Sequence, residues 1–336
     1  MRPNSSPRPT NGQSAASVTN TLTTRVFGPG RRDATPGPDG PSPLGWPLVS
    51  ADLLAVWLPR DVVRVAGPDA ERFLQGQLSQ DVAAVPAGGS AWSLLLQPQG
   101  KVDALVRVSR PAHGADELLV DTEGGWGAKV VERLERFKLR VKVVLEPLDW
   151  RCLALRGAGA HEVAVPAGAV ALAADWPGLP GVDLLGTDLV VPSGLTLGEA
   201  ATYHALRVAA GVPAMGSELD ERTIPAEAGV VDMAVSFTKG CYTGQELVAR
   251  IDSRGGNVPR RLRRVVVAGG PAPPPGATVH TDEGRQVGAL TSVAATGQGT
   301  VALAYVQRAV EPPAEVELRW EGGTAPARVE ALTPGR

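Results

Sequence analysis

The stretch SAWSLLLQPQGKVDALVRVSR, residues 90 to 110, runs with a period of two on both sides of its QPQGK segment. Period two is the spacing of a strand whose two faces differ, and a glycine-containing turn between two such runs makes an antiparallel hairpin. On its N-terminal side, DVVRVAGPDAERFLQGQLSQDV (61–82) predicts a strand with Val63 and Val65 inward, a stop at Gly67-Pro68, and a helix carrying Phe73 and Leu74. On its C-terminal side, GGWGAKVVERLERF (124–137) spaces Trp126, Val130, Leu134 and Phe137 along one helical face. KLRVKVVLEP (138–147) then alternates at Leu139, Val141, Val143 and Leu145, which predicts a strand.

Further along, GLTLGEAATYHALRVAAGVP (194–213) has Thr196 and Glu199 in S/T-x-x-E spacing at its start and Gly211 and Pro213 at its end, so a helix with both ends signalled is expected. From Leu262 onward come the short alternating runs RRVVVAG, TVHTDEGRQVGALTSVA, GTVALAYVQR and AEVELRW, divided by Gly, Pro and Asp-Glu-Gly turns. They predict a small all-β unit closed as a barrel. Helices and strands mix without a steady β-α-β order, which favours an α+β fold over a doubly wound sheet.

The bulk numbers set limits on function. A chain of 336 residues is long enough for two or three packed units. Its net charge of -2 provides no overall field toward nucleic acid or an anionic membrane. Two cysteines and four histidines, without C-x-x-C or paired histidines, cannot complete a four-ligand zinc or iron–sulfur site within one chain. Cys152, in RCLALRG, reads as a buried strand residue. No apolar run has membrane-spanning length and no hydrophobic leader precedes a cleavage site, so a cytoplasmic location with reduced thiols is expected. Residues 1–44 are rich in Pro, Gly, Ser and Thr and are expected to form a disordered tail. The folded chain then divides into 45–262 and a barrel over 263–336. Dinucleotide, nucleotide-phosphate and nucleophile-elbow motifs are absent.

One stretch carries chemistry: SFTKGCYTGQELVAR, residues 236–250. Thr243 and Glu246 form a second S/T-x-x-E box, so a helix is expected to start at TGQE. Cys241 then lies in the turn before the helix N-terminus, where free amide N–H groups and the helix dipole favour a thiolate, with Lys239 adding a charge. The same place suits a carboxylate or phosphate oxygen of a ligand, since Gly240 and Gly244 let the backbone come close. Plainer readings stand beside these. Glu246 can cap its own helix and pair with Arg250 for about a few tenths of a kcal/mol. Cys241 can be buried filler, Tyr242 core with a satisfied hydroxyl, and Lys239 solvated surface. The basic run DSRGGNVPRRLRR (252–264) reads more readily as a linker and strand than as a nucleic-acid arm.

Lys239 to Glu246, standing as K-G-C-Y-T-G-Q-E, resembles the signature of the YgfZ proteins, folate-binding relatives of the glycine-cleavage aminomethyltransferase. GPDAERFLQGQLSQDV, LQPQGKVDA, RFKLRVKV, LRVAAGVPAMGSEL, IPAEAG, RRL and VGALTSVA with GTVALAYV resemble the same family, over about residues 50 to 310. The resemblance implies two interleaved α+β subdomains forming a folate-binding channel, with a C-terminal all-β barrel. It implies a tetrahydrofolate-binding accessory protein supporting iron–sulfur cluster assembly or repair, including the clusters of tRNA-modifying enzymes. Its partners would be reduced folate and iron–sulfur enzymes or assembly factors, with no direct nucleic acid and no membrane.

On this reading Cys241 is the functional thiol. Lys239, Gly240, Tyr242, Gly244, Gln245, Glu246 and Arg250 are the candidates for folate contact, supplying hydrogen bonds to the pterin edge, a ring wall and cations for the glutamate carboxylates. The transferases carry an acidic pair just after the hairpin glycine, and one of those carboxylates is the catalytic acid. In this chain GKVDALV keeps Asp103 alone, followed by Ala104 and Leu105, and a one-place shift along a strand turns a side chain to the other face. Ala209 stands where the transferases often place a glutamate. The two alternatives to the accessory role are a folate-dependent aminomethyl or methyl transferase and a non-enzymatic adaptor that has lost folate.

Overall fold

Residues 53–112, 116–297 and 299–332 are described by the computed structural model; the expected tail over 1–44 lies outside the described residues. The first strand, β1 (Leu54–Leu58), leads through Pro59 into β2 (Arg60–Ala66), and Gly67 and Pro68 separate β2 from α1 (Ala70–Gln77). The hairpin strands β3 (Ser90–Leu96) and β4 (Val102–Ser109) follow, then β5 (Glu117–Glu123), α2 (Gly127–Phe137) and β6 (Val144–Leu148). Next come β7 (Arg151–Arg156), β8 (Val170–Ala173), β9 (Gly181–Gly186), α3 (Ala200–Ala210), the short α4 (Pro225–Ala228) and α5 (Val231–Ala234), and α6 (Gln245–Asp252). The last strands are β10 (Arg260–Val267), β11 (Thr278–His280), β12 (Gln286–Thr296), β13 (Gly299–Gln307), β14 (Ala314–Trp320) and β15 (Gly323–Glu330).

These strands make two antiparallel sheets and a barrel. The five-stranded sheet has the order β3-β4-β5-β2-β6 and the four-stranded sheet the order β1-β7-β9-β8. Because β1 joins β7 while its immediate successor β2 joins β5 and β6, the chain crosses between sheets at Pro59 and the two subdomains are interleaved. Buried residues of α1 and α2, among them Phe73, Leu74, Val130 and Leu134, share one core with Val63, Val65, Leu94 and Val106. Each side chain so buried stabilises the fold by about 1.5–3 kcal/mol. The barrel closes when β15 pairs back onto β10, around a core that includes Val265, Ala304, Leu318 and Val329. Helix α3 packs on β12 and β13. The fold is therefore α+β with a C-terminal six-stranded barrel, as expected, and the barrel's first strand begins at Arg260.

Two local expectations are corrected. The strand expected from Leu139 starts only at Val144, because Arg140 takes a left-handed φ of 58° and Lys142 N donates to Asp69 Oδ2 (2.8 Å) instead of to a ladder. Leu139 is 79% exposed, so the buried alternation begins only at Val141, which with Val143 and Leu145 packs on the main core. Helix α3 starts at Ala200 with Glu199 as its cap residue and no side-chain cap bond, so the Thr196 box does not form. Its other end behaves as expected, Gly211 taking φ 75°.

Candidate functional site

Five charged side chains from five strands meet between the two sheets: Arg60 on β2, Arg107 on β4, Asp121 on β5, Arg156 on β7 and Asp183 on β9. Each is nearly sealed from solvent, and they answer one another. Arg107 grips Asp121 with two bonds of 3.0 Å and reaches across to Asp183 Oδ2 at 3.0 Å, while Arg156 meets Asp183 Oδ1 at 2.9 Å. Arg60 Nε donates to Asp121 at 2.6 Å. The cluster ties the five-stranded sheet to the four-stranded one with three cations and two anions, leaving one positive charge in excess. Burial alone would raise the Asp183 carboxyl, but Arg156, Arg107 and Arg60 together hold it down at about 2. Cys152, buried beside this cluster as expected for a strand residue, has its thiol pushed far up by burial.

Above the cluster opens a cavity of about 560 Å³, within the size range of small-molecule sites. Its wall collects Arg60, Trp92, Leu105 and Glu123 from the first sheet, Arg156 and Asp183 from the second, Tyr203 and Arg207 from α3, and Arg261 and Arg263 from β10. Aromatic rings are fixed there by cations. The guanidinium of Arg107 lies 5.1 Å from the Trp92 ring centre and that of Arg156 4.6 Å from the centre of Trp176, which meets Tyr203 edge-on at 5.0 Å. Burial raises the Tyr203 hydroxyl to about 12. The buried Arg156 Nε has no hydrogen-bond partner. The half-buried Arg263 side chain makes neither hydrogen bond nor ion pair among the described residues, and burial and neighbouring Arg261 pull its pKa down. By contrast Arg207 is engaged, to Glu218 at 2.9 Å and Ser292 at 2.7 Å.

The KGCYTGQE segment lies elsewhere. None of Lys239, Gly240, Cys241, Tyr242, Gly244, Gln245, Glu246 and Arg250 is in the cavity wall. Lys239 is neither free on the surface nor turned to the cavity: its ammonium donates to the carbonyls of Gln75 (2.6 Å), Leu78 (2.6 Å) and Gln80 (2.9 Å), at and just beyond the C-terminal end of α1. A cation is favoured at that end of a helix. Burial pulls its pKa down to about 8, opposed by Asp81. Tyr242 packs against the main core with the Lys239 ammonium 5.1 Å from its ring centre, and burial raises its hydroxyl to about 12. Gln245 Oε1 accepts from Tyr242 N at 3.1 Å, and the cap position of α6 is Gly244 at φ 83°. The helix thus starts with no side-chain cap bond, and the Thr243–Glu246 box does not form.

Glycines press this segment onto the hairpin turn. A Cβ on Gly244 would stand 2.4 Å from Gln97 O, and one on Gly100 would stand 2.6 Å from Leu247 Cβ and 2.9 Å from Gly244 O. Only glycine permits that approach. Cys241, Gly240, Glu246 and Arg250 are exposed, and no ion pair joins Glu246 to Arg250 among the described residues. The thiol is therefore accessible, held on a loop whose two flanks are pinned by Lys239 and Gly244. The second half of α6 comes to the cavity's rim. Val248, Ile251 and Asp252 line a smaller hollow of about 150 Å³ that shares Ala226, Gly229, Asp232 and Arg261 with the large one.

Asp103 is also outside the cavity wall. The ladder slips at this point, Leu95 pairing with Ala104 and Leu96 with Val102, so Asp103 is bulged out of register while Leu105, two places on, lines the cavity. Arg133 on α2 takes it instead, with Nε 3.2 Å from Oδ2, and gives its other donors to Leu96 O and Gln77 Oε1. The cavity residues Arg60, Arg156, Asp183 and Glu123 were not singled out from the sequence. Each is a charge set in or at the end of a largely apolar strand run, but Arg64, Glu117 and Arg151 stand in the same strands, so that pattern does not separate the cavity residues. Among the described residues no group of three or more His, Cys, Asp or Glu is placed to hold a metal ion, and no helix is long and apolar enough to cross a membrane.

No family model matches the chain. It is 32% identical over 322 residues to the human mitochondrial iron–sulfur cluster assembly factor IBA57, covering 82% of this chain and 88% of that one. It is 26% identical to the tRNA-modifying protein YgfZ of Cronobacter sakazakii, over 87% of this chain and 97% of that one. Among solved structures, the glycine cleavage system aminomethyltransferase T from Bartonella henselae superposes with a TM-score of 0.73 over 85% of this chain and 87% of that one. At 19% identity the last likeness is one of fold. With the human factor similar along nearly its whole length, this chain belongs to the family of IBA57 and the YgfZ proteins.

Proposed function

We propose that this protein binds a reduced folate in the cavity between its sheets and supports iron–sulfur cluster assembly or repair, the clusters of tRNA-modifying enzymes included, with Cys241 as its working thiol. The observation that carries the reading is the cavity itself, about 560 Å³ in volume, walled by Trp92, Trp176, Leu105 and Met215 and holding the unsatisfied Arg156 Nε and the half-buried Arg263. Those residues fit a tetrahydrofolate: rings and aliphatic side chains for the pterin and aminobenzoyl faces, and Arg261 with Arg263 for the carboxylates of its glutamate. Bound there, the folate would supply one-carbon chemistry. Names borne by the relatives, an iron–sulfur cluster assembly factor and a tRNA-modifying protein, support the cellular role.

The thiol is a separate element of this reading. Cys241 is exposed on a loop framed by Lys239, Gly240, Tyr242, Gly244 and Gln245, where an iron–sulfur enzyme or assembly factor can reach it. Its place outside the cavity wall argues for contact with a partner rather than with the folate ring. One-carbon transfer by a hairpin acid is disfavoured, because Asp103 is neutralised by Arg133. In cells deleted for the gene, Cys241→Ala is expected to restore little of the lost activity of cluster-dependent enzymes. Full rescue by that variant contradicts a working thiol, and steady formation of methylene-folate from tetrahydrofolate and an amine donor would support the transferase alternative.

A further inference from the structure

Five acids line the cavity, and four of them are accounted for. Asp183 is held by Arg107 and Arg156, Glu227 by Arg260 at 3.0 Å, and Asp175 by His161 and by Gly181 N, while Asp232 is exposed. Glu123 is different. It ends β5, is only partly exposed, and its Oε1 accepts one bond, from Met215 N at 3.2 Å. Among the described residues no side chain bonds either of its oxygens. The two cations whose fields reach it are both engaged elsewhere, Arg60 by Asp121 and Arg207 by Glu218, and Glu218 adds a like charge. Burial accordingly raises its carboxyl above the usual range.

The backbone around it is fixed. Trp126 N donates to Glu123 O, and Asp61 Oδ2 accepts from both Gly125 N and Gly127 N, so the turn that carries the acid cannot swing it freely. A desolvated carboxylate held in a cavity wall with an oxygen to spare lowers its free energy most by accepting from paired N–H donors. We infer that Glu123 is the specificity-determining residue of this cavity, its carboxylate accepting two adjacent N–H donors from the ligand, as the 2-amino-4-oxopyrimidine edge of a pterin presents them. The assignment rests on the folate reading and adds to it which residue reads the pterin edge. Met215 N fixes one oxygen, and the other is left to take the second donor.

The test uses the full chain and two probes, 5-formyltetrahydrofolate and its 2-desamino-2-methyl analogue, with affinities measured by calorimetry. Glu123→Gln keeps an acceptor for Met215 N but turns an amide N–H₂ toward the ligand's donors, so it is expected to bind 5-formyltetrahydrofolate about 10- to 100-fold more weakly. Wild type is expected to discriminate against the analogue by a similar factor and Glu123→Gln to discriminate hardly at all. A structural role alone would not remove that discrimination. Equal affinities for wild type and Glu123→Gln, or discrimination retained by the variant, overturn the assignment while leaving folate in the cavity. Failure of wild type to bind the reduced folate overturns the folate reading, and this assignment with it.

Discussion

At the scale of single residues, Cys241 and Lys239 show how one motif can serve two ends. Two places apart in sequence, they point to different environments: the thiol is exposed, and the ammonium is sunk against three main-chain carbonyls. Lys239 was legible as a cation needed near Cys241 but not as a clasp, because its acceptors belong to residues 75 to 80, more than 150 positions earlier. Local sequence carries no sign of such a contact. Cys241 itself makes no packing contribution that its exposure would allow, so Cys241→Ala is expected to leave unfolding free energy within about 0.5 kcal/mol of wild type. A cellular defect of that variant then reports chemistry and not folding. A fall in its melting temperature of many degrees would mean that the thiol holds the loop instead.

At the scale of elements, the hairpin and α6 behave as one unit. Gly100 and Gly244 meet face to face, each in a left-handed conformation, at φ 80° and φ 83°. Gly244→Ala combines a strained φ with a Cβ 2.4 Å from a carbonyl oxygen, so it is expected to cost about 2 kcal/mol or more. Gly240→Ala, with nothing within 4 Å of its Cβ, is the control and should be near neutral. Denaturant unfolding of the two variants checks this, and equal stabilities would mean that α6 is not seated on the turn. The hairpin was legible because its alternation and its turn glycine agree. The start of α3 and the stretch from Leu139 to Val143 were not, since a capping pair occurs where the chain does not use it, and Val141 and Val143 pack on the core without joining a ladder.

At the scale of the whole molecule, the buried charges are what hold two sheets at the spacing that leaves a cavity. The pattern was visible in RDVVRVA, ALVRVS, LLVDTE, RCLALR and GVDLLG, each with a charge in a strand, but the pairing of those charges follows from the crossover at Pro59, which no local period reveals. With the Asp183 carboxyl held at about 2 against an ordinary 3.8, its stabilisation is complete above the ordinary value and is lost as pH falls through 2. Asp183→Asn is expected to destabilise the protein by about 3–5 kcal/mol at neutral pH, by leaving Arg156 without its carboxylate partner and Arg107 with Asp121 alone, and to shallow the loss of stability between pH 4 and pH 2. Unfolding curves across that range check both effects. An unchanged acid limb would remove Asp183 from the account.

The cavity and the thiol occupy different parts of the molecule, and calorimetric titration of wild type and Cys241→Ala with 5-formyltetrahydrofolate tests most directly whether folate binding and the thiol are separate. The predicted result is saturable binding with the same affinity for both proteins. Absence of binding to wild type, or loss of binding when the thiol is removed, would contradict it.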